Sequence, residues 1–233
     1  MRELLLLSNS TNHGQGYLDH AEEAILEILG PTRAILFVPF ALYDREGYAA
    51  KFAERMAAMG VDAEALSTDQ TARRQIESAA AVFVGGGNTF RLLKTLQDLE
   101  LLAPLRERAL SGMPYLGASA GINLACPTIR TTNDMPIVEP RGFDALGLVS
   151  FQINPHYIDP DPASIHMGET REQRLAEFLE ENERVVVGLR EGGWIRIRGA
   201  GGELGGVPGA RVFRRGAEAL ELPPGADLAA VQK

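Results

Sequence analysis

Apolar residues in this chain come in short unbroken runs separated by amphipathic stretches. Residues 3–7 (Glu-Leu-Leu-Leu-Leu) stop at Ser8-Asn9-Ser10-Thr11-Asn12, a cluster of turn formers. A helical pattern follows over about 17–29 and ends at Gly30-Pro31. Residues 33–39 read as a buried strand, 44–59 as a helix ended by Gly60, and 61–66 as a short strand. Ser67-Thr68-Asp69 can cap a helix that runs through Ile76. The apolar run 79–84 breaks at Gly85-Gly86-Gly87, helices are expected at 89–96 and 102–110, and 115–118 is a further strand. Strands without in/out alternation, spaced by helices, predict a mostly parallel sheet covered on both faces by helices. The last third changes character. A helix at 169–181 and a strand at 185–189 precede 194–198 and two Gly/Pro-bounded segments, read as antiparallel strands at the sheet edge. The predicted fold is α/β, and no low-complexity linker divides residues 1–233, so one domain is expected.

Composition narrows the partners. Lys and Arg total 23 against 31 Asp and Glu, a net charge of −8, and no basic cluster breaks the pattern. Such a surface repels nucleic acid and anionic membranes; an anionic substrate requires a local cationic pocket. Cys126 is the single cysteine, so no intrachain disulfide can form and a reducing, cytoplasmic setting is expected. The first apolar run is too short for a signal peptide, and no run approaches transmembrane length. Neither His-Glu-x-x-His nor Cys/His ligand spacing occurs, so no metal is expected, and no cofactor either. Nucleotide loops fail as well: after Gly85-Gly86-Gly87 position 90 is Phe, after Gly14-Gln15-Gly16 position 19 is Asp, and a Walker lysine is missing.

The chemistry concentrates at residues 115–121, Tyr-Leu-Gly-Ala-Ser-Ala-Gly. A Gly-x-Ser-x-Gly frame after a strand and before a helix marks a nucleophile elbow, which exposes one hydroxyl, here Ser119. The next helix then begins beside the serine, where free N–H groups can stabilise negative charge. Gly87 is read either as a plain strand–helix turn or as an oxyanion donor acting with the N–H of Ala120. Of the four histidines, His20 is expected to face solvent, and His13 and His166 lie in Gly-flanked loops without supporting pattern. His156 follows Gln-Ile-Asn-Pro, a strand broken by proline that leaves the imidazole at a strand end. A structural histidine fits that position. The order Ser119, acid, His156 also fits the Ser…Asp/Glu…His order of α/β hydrolases. Cys126 is read as a packed thiol.

Four segments together resemble one family. They are Gly-Gly-Gly-Asn-Thr-Phe (85–90), Gly-Ala-Ser-Ala-Gly-Ile-Asn-Leu-Ala-Cys-Pro-Thr-Ile-Arg-Thr-Thr-Asn-Asp-Met-Pro (117–136), Gln-Ile-Asn-Pro-His (152–156) and Gly-Glu-Thr-Arg-Glu-Gln-Arg (168–174). The sequence is similar to the peptidase E family, bacterial serine peptidases that hydrolyse dipeptides with an N-terminal aspartate. The resemblance runs from the first strand to about Trp194 and departs most in the loop after His156. It implies a class I glutamine amidotransferase-like fold, a homodimer, Ser119 as nucleophile, His156 as base, and Gly87 and Ala120 as oxyanion donors. Two acids compete as the third member. Asp134 fits the motif and the chain order, whereas Glu191 follows a strand and sits at a carboxyl edge, which favours it as the direct partner of imidazole. An aspartyl substrate needs a fixed cation. Arg171 is the first candidate and Arg130 the second, with Asn88 placed to hold the substrate main chain. Rival readings are a cyanophycinase-like β-aspartyl hydrolase and a non-catalytic module binding an anionic ligand.

Overall fold

The computed structural model describes every residue except 162, 164, 166, 229, 230, 232 and 233. Its first half alternates strand and helix: β1 (Glu3–Leu7), α1 (Glu22–Leu29), β2 (Ala34–Val38), α2 (Arg45–Ala58), β3 (Asp62–Ala65), α3 (Ala72–Ser78), β4 (Val82–Val84), α4 (Thr89–Asp98), α5 (Leu102–Leu110) and β5 (Tyr115–Ala118). Then come α6 (Ala120–Ala125), β6 (Gln152–Tyr157), α7 (Arg171–Glu181), β7 (Val186–Arg190), β8 (Trp194–Arg198), β9 (Gly201–Gly205), β10 (Ala210–Phe213) and β11 (Leu220–Leu222). Seven strands form one sheet in the order β3-β2-β4-β5-β1-β8-β9. The first five are parallel, with Leu4 opposite Tyr115 and Leu7 opposite Ala118, while β8 and β9 run antiparallel.

The unbroken apolar runs have a physical cause. Leu4 and Leu6 face a core shared with Val82, Val84 and Tyr115. Leu5 and Leu7 face the opposite core with Phe37, Phe83 and Leu116. All four leucines are fully buried, because helices cover both faces of the sheet. Each such side chain contributes about 1.5–3 kcal/mol by leaving water. Phe37 stacks on Phe52 of α2 at 4.0 Å between ring centres, locking that helix to its face.

Three expectations change. The early helix is shorter than the pattern at 17–29: Leu18 takes φ 62° and a single 3-10 turn (Asp19–Ala21) precedes α1. Asp69 does not cap α3 directly. Its carboxylate accepts from the backbone N–H and hydroxyl of Thr71 at 2.8 and 2.6 Å, and the helix begins one residue later. The C-terminal strands also divide. Only β8 and β9 extend the large sheet, while β10 and β11 join β7 and β6 in a second, four-stranded sheet ordered β11-β10-β7-β6. The outer edge of β9 is already engaged, since Leu204 and Leu228 donate to Ala226 and Gly202 and Gly225 donates to Leu204. The later strands therefore pair where β7 offers a free edge. In that second sheet β6 and β7 are parallel and joined through α7, and the register shifts between Asn154 and Tyr157. Among the described residues no helix is long and apolar enough to cross a membrane.

Candidate active site

Ser119 stands at the junction of β5 and α6 with φ 52° and ψ −107°. A non-glycine residue there costs on the order of 1–3 kcal/mol, offset by the bonds that hold it. Its N–H donates to Leu7 O at 3.0 Å, and its carbonyl accepts from Ile122 at 2.8 Å. The flanking glycines are required by contact. A Cβ on Gly117 would stand 2.7 Å from the Gly121 carbonyl oxygen, and one on Gly121 would strike Val84 O. The Tyr115 hydroxyl donates to the same Gly121 carbonyl at 2.7 Å. The turn is thus fixed from both sides, and the hydroxyl projects from it.

His156 meets this hydroxyl from the second sheet. The bulge in β6 gives it φ 54°, and its Nε2 lies 2.9 Å from Ser119 Oγ. On the other side Nδ1 lies 2.6 Å from Oε1 of Glu191, the residue after β7. With a carboxylate on Nδ1, the partners assign the proton to that nitrogen and leave Nε2 as acceptor for the serine O–H. Such a chain can draw a proton off Ser119. Proline does not end the strand: β6 continues through Pro155, and the bulge, not a break, turns the imidazole.

Residues read only as turn formers hold the two sheets in register. The Ser8 hydroxyl accepts from the His156 N–H at 2.9 Å and donates to Leu189 O at 2.7 Å. Asn9 Oδ1 accepts from Gly192 N at 2.8 Å, just past Glu191. Gly192 itself takes φ 81°. Both polar residues follow β1, an inner strand next to β5, and that position at a carboxyl end was the available signal.

The glycine loop approaches from the opposite side. A Cβ on Gly86 would stand 3.2 Å from Ser119 Cβ, so this backbone lies directly against the serine. Gly87 takes φ 131°, and any side chain there would strike Leu42 and Ala41 O. Among the described residues, no loop or turn backbone hydrogen bond engages the N–H of Gly87 or Ala120, whereas those of Gly85, Asn88, Ile122 and Asn123 are tied down.

Asp134 is brought to this loop, not to His156. Its Oδ2 accepts from the Thr89 N–H at 2.8 Å and from the Thr132 hydroxyl at 3.0 Å. Asn88 is occupied too, because its Oδ1 caps α4 through the Arg91 N–H at 3.0 Å and its Nδ2 donates to Met135 O at 2.9 Å. Arg130 is exposed and lies over the Phe143 ring at 5.1 Å.

Arg171 opens α7 and lines a cavity of about 410 Å³ with Ile158, Asp159, Asp161, Glu169 and Arg174. It has no hydrogen bond or ion pair among the described residues, and burial followed by the Arg174 charge lowers its pKa. Both ring nitrogens of His20 are buried, contrary to a solvent-facing expectation, and desolvation lowers its pKa. His13 is exposed, and His166 lies outside the described residues. Cys126 is fully buried and burial pushes its thiol up to about 12. It is a packing group.

The model of peptidase family S51 matches residues 4–205. A peptidase E of Streptomyces coelicolor is 53% identical over 97% of this chain and 93% of its own length. A probable alpha-aspartyl dipeptidase of Drosophila melanogaster is 45% identical over 97% and 96%, and a peptidase E of Salmonella typhimurium 48% over 96% and 98%. Two solved structures share the fold. A peptidase from an acI-B1 Actinobacterium has a TM-score of 0.72 at 17% identity, covering 97% of this chain and 96% of its own. A putative peptidase E of Listeria monocytogenes has a TM-score of 0.66 at 22% identity, covering 92% and 98%. The chain belongs to peptidase family S51.

Proposed function

We propose that Ser119, His156 and Glu191 form the catalytic triad of this serine-type dipeptidase, and that its substrates carry an N-terminal α-aspartyl residue. The hydrogen-bond chain from Ser119 Oγ through His156 to Glu191, at 2.9 and 2.6 Å, carries the reading. In the first step Ser119 Oγ attacks the peptide carbonyl as His156 Nε2 takes its proton. The developing oxyanion is met by the N–H groups of Gly87 and Ala120, each worth roughly 3–4 kcal/mol in the transition state. His156 then protonates the leaving amine, and the C–N bond breaks to leave an aspartyl ester on Ser119. Water, deprotonated by the same imidazole, hydrolyses the ester and returns the proton to Ser119.

Glu191 fixes the tautomer and stabilises the imidazolium. On this reading Asp134 and Asn88 act on the glycine loop, because their side chains are spent on Thr89, Arg91 and Met135. Arg171 pairs with the substrate's β-carboxylate. It is a half-buried cation without a protein partner among the described residues, which suits an anionic group better than a neutral one. A cytoplasmic homodimer is the working assembly, testable by sedimentation and cell fractionation. The functional test is hydrolysis of a panel of Xaa-Leu dipeptides. Preference for Asp-Leu supports the reading, and equal turnover of Ala-Leu contradicts it.

A further inference from the structure

The cavity beside Arg171 holds three carboxylates within its walls, yet none of them pairs with that arginine. Glu169 lies 3.5 Å from Arg174, and Asp161 accepts from the Ala163 N–H at 2.9 Å. Asp159 is the most firmly held. Its Oδ2 and Oδ1 receive Nε and Nη2 of Arg190 at 2.6 and 2.9 Å, a two-pronged pair. Arg190 completes its set with Glu221 at 2.6 and 3.0 Å and with Pro208 O at 3.0 Å. Five hydrogen bonds account for all five guanidinium donors. The side chain is only 18% exposed, and Arg211 adds a second cation 4.0 Å from Asp159.

This arrangement fixes the Asp159 carboxylate in one place on the segment after β6. Asp159 lies three residues after His156, and Arg190 directly precedes Glu191. An unrestrained Asp159, on the wall shared with Arg171, is the natural intramolecular competitor for that cation. We propose that Arg190 is a positioning residue for substrate selection: by binding both oxygens of Asp159 it keeps that carboxylate off Arg171, so the cavity presents an unpaired guanidinium to the substrate. The inference rests on the reading that Arg171 receives the β-carboxylate. The Arg190 hydrogen bonds hold the Asp159 carboxyl below its ordinary range, and an unshifted aspartate is itself ionised at neutral pH. Released from Arg190, it remains an anion and pairs with Arg171 as a substrate mimic.

The test compares Arg190→Gln with the double variant Arg190→Gln/Asp159→Asn, measuring kcat and KM for Asp-Leu and Ala-Leu. Arg190→Gln is expected to raise KM for Asp-Leu about tenfold, the scale of one charge-assisted contact, and to leave KM for Ala-Leu unchanged. Adding Asp159→Asn removes the competitor, so KM for Asp-Leu returns toward wild type, while any fall in kcat from a loosened Glu191 persists. If Arg190→Gln does not fold, Arg190→Lys takes its place with a smaller rise and the same rescue. A KM that the second substitution fails to restore overturns the inference and makes Arg190 structural. Arg171→Ala is the control: if it leaves the Asp-Leu to Ala-Leu ratio intact, the Arg171 reading falls and takes the inference with it. If that ratio collapses while Arg190→Gln leaves KM untouched, only the inference falls.

Discussion

In the proposed mechanism Ser119 and His156 carry the proton chemistry and Glu191 orients it. Replacing Ser119 or His156 with Ala is expected to lower kcat about 10⁴-fold or more without unfolding the protein, because triad members act as a unit. Steady-state assays with matched circular dichroism check this. Glu191 and Asp134 separate by their contacts. Glu191→Gln keeps the shape but removes the charge beside His156 Nδ1, so kcat falls steeply and KM changes little. Asp134→Asn weakens the hold on Thr89 and hence on the glycine loop, giving a smaller loss in kcat. Asp134→Asn proving the more damaging of the two would move Asp134 toward the triad. That Ser119 and His156 would meet was legible in the sequence, because each sits at a strand end or in a motif that admits few backbones, whereas the choice of Glu191 over Asp134 beside His156 stayed open until the contacts were seen. Ser8 and Asn9 were not legible. A polar cluster after a strand looks the same whether it only turns the chain or also ties His156 and Gly192, residues far along the sequence.

Among the elements, the parallel strands were readable because burial on two faces erases alternation, and β1 is the extreme case. Leu5→Ala removes a fully buried side chain packed among Phe37, Phe83 and Leu116, and is expected to cost about 2–5 kcal/mol in denaturant unfolding. The second sheet was not readable, since local pattern does not tell which edge β10 will find. Within it, Arg190 at the end of β7 ties Asp159, just past β6, to Glu221 of β11. This has a pH signature. The folded-state pKa of Asp159 is depressed, so its stabilising contribution is present above the ordinary carboxylate value and is lost as pH falls through the depressed one. Asp159→Asn is therefore expected to lower Tm at neutral pH, and the gap from wild type should close on acidification below about pH 4. A gap that stays constant or widens at low pH would mean the ion pair contributes nothing to folding.

At the scale of the whole molecule, in the proposed function an acidic chain selects an acidic substrate through one arginine, Arg171. The net charge of −8 disfavours anions in general, so an anionic substrate needs a local cation. Arg171 was singled out through its motif, whereas the pairing of the neighbouring Asp159 with Arg190 could not be read from the sequence. Arg130 and Asn88, the other substrate-binding candidates, are committed to Phe143 and to the α4 cap. Arg171→Ala is expected to cost roughly 2–5 kcal/mol in kcat/KM for Asp-Leu and little for Ala-Leu. An equal loss for both dipeptides would leave Arg171 a structural residue.

Nucleophile and selectivity meet in one measurement, the mass-mapped labelling of the protein by a fluorophosphonate with Asp-Leu or Ala-Leu as protectant. A single adduct is expected on Ser119, absent from Ser119→Ala, strongly suppressed in His156→Ala, and slowed by Asp-Leu far more than by Ala-Leu. Labelling that persists at another residue in Ser119→Ala, with Asp-Leu hydrolysis intact, would contradict a Ser119 acyl-enzyme.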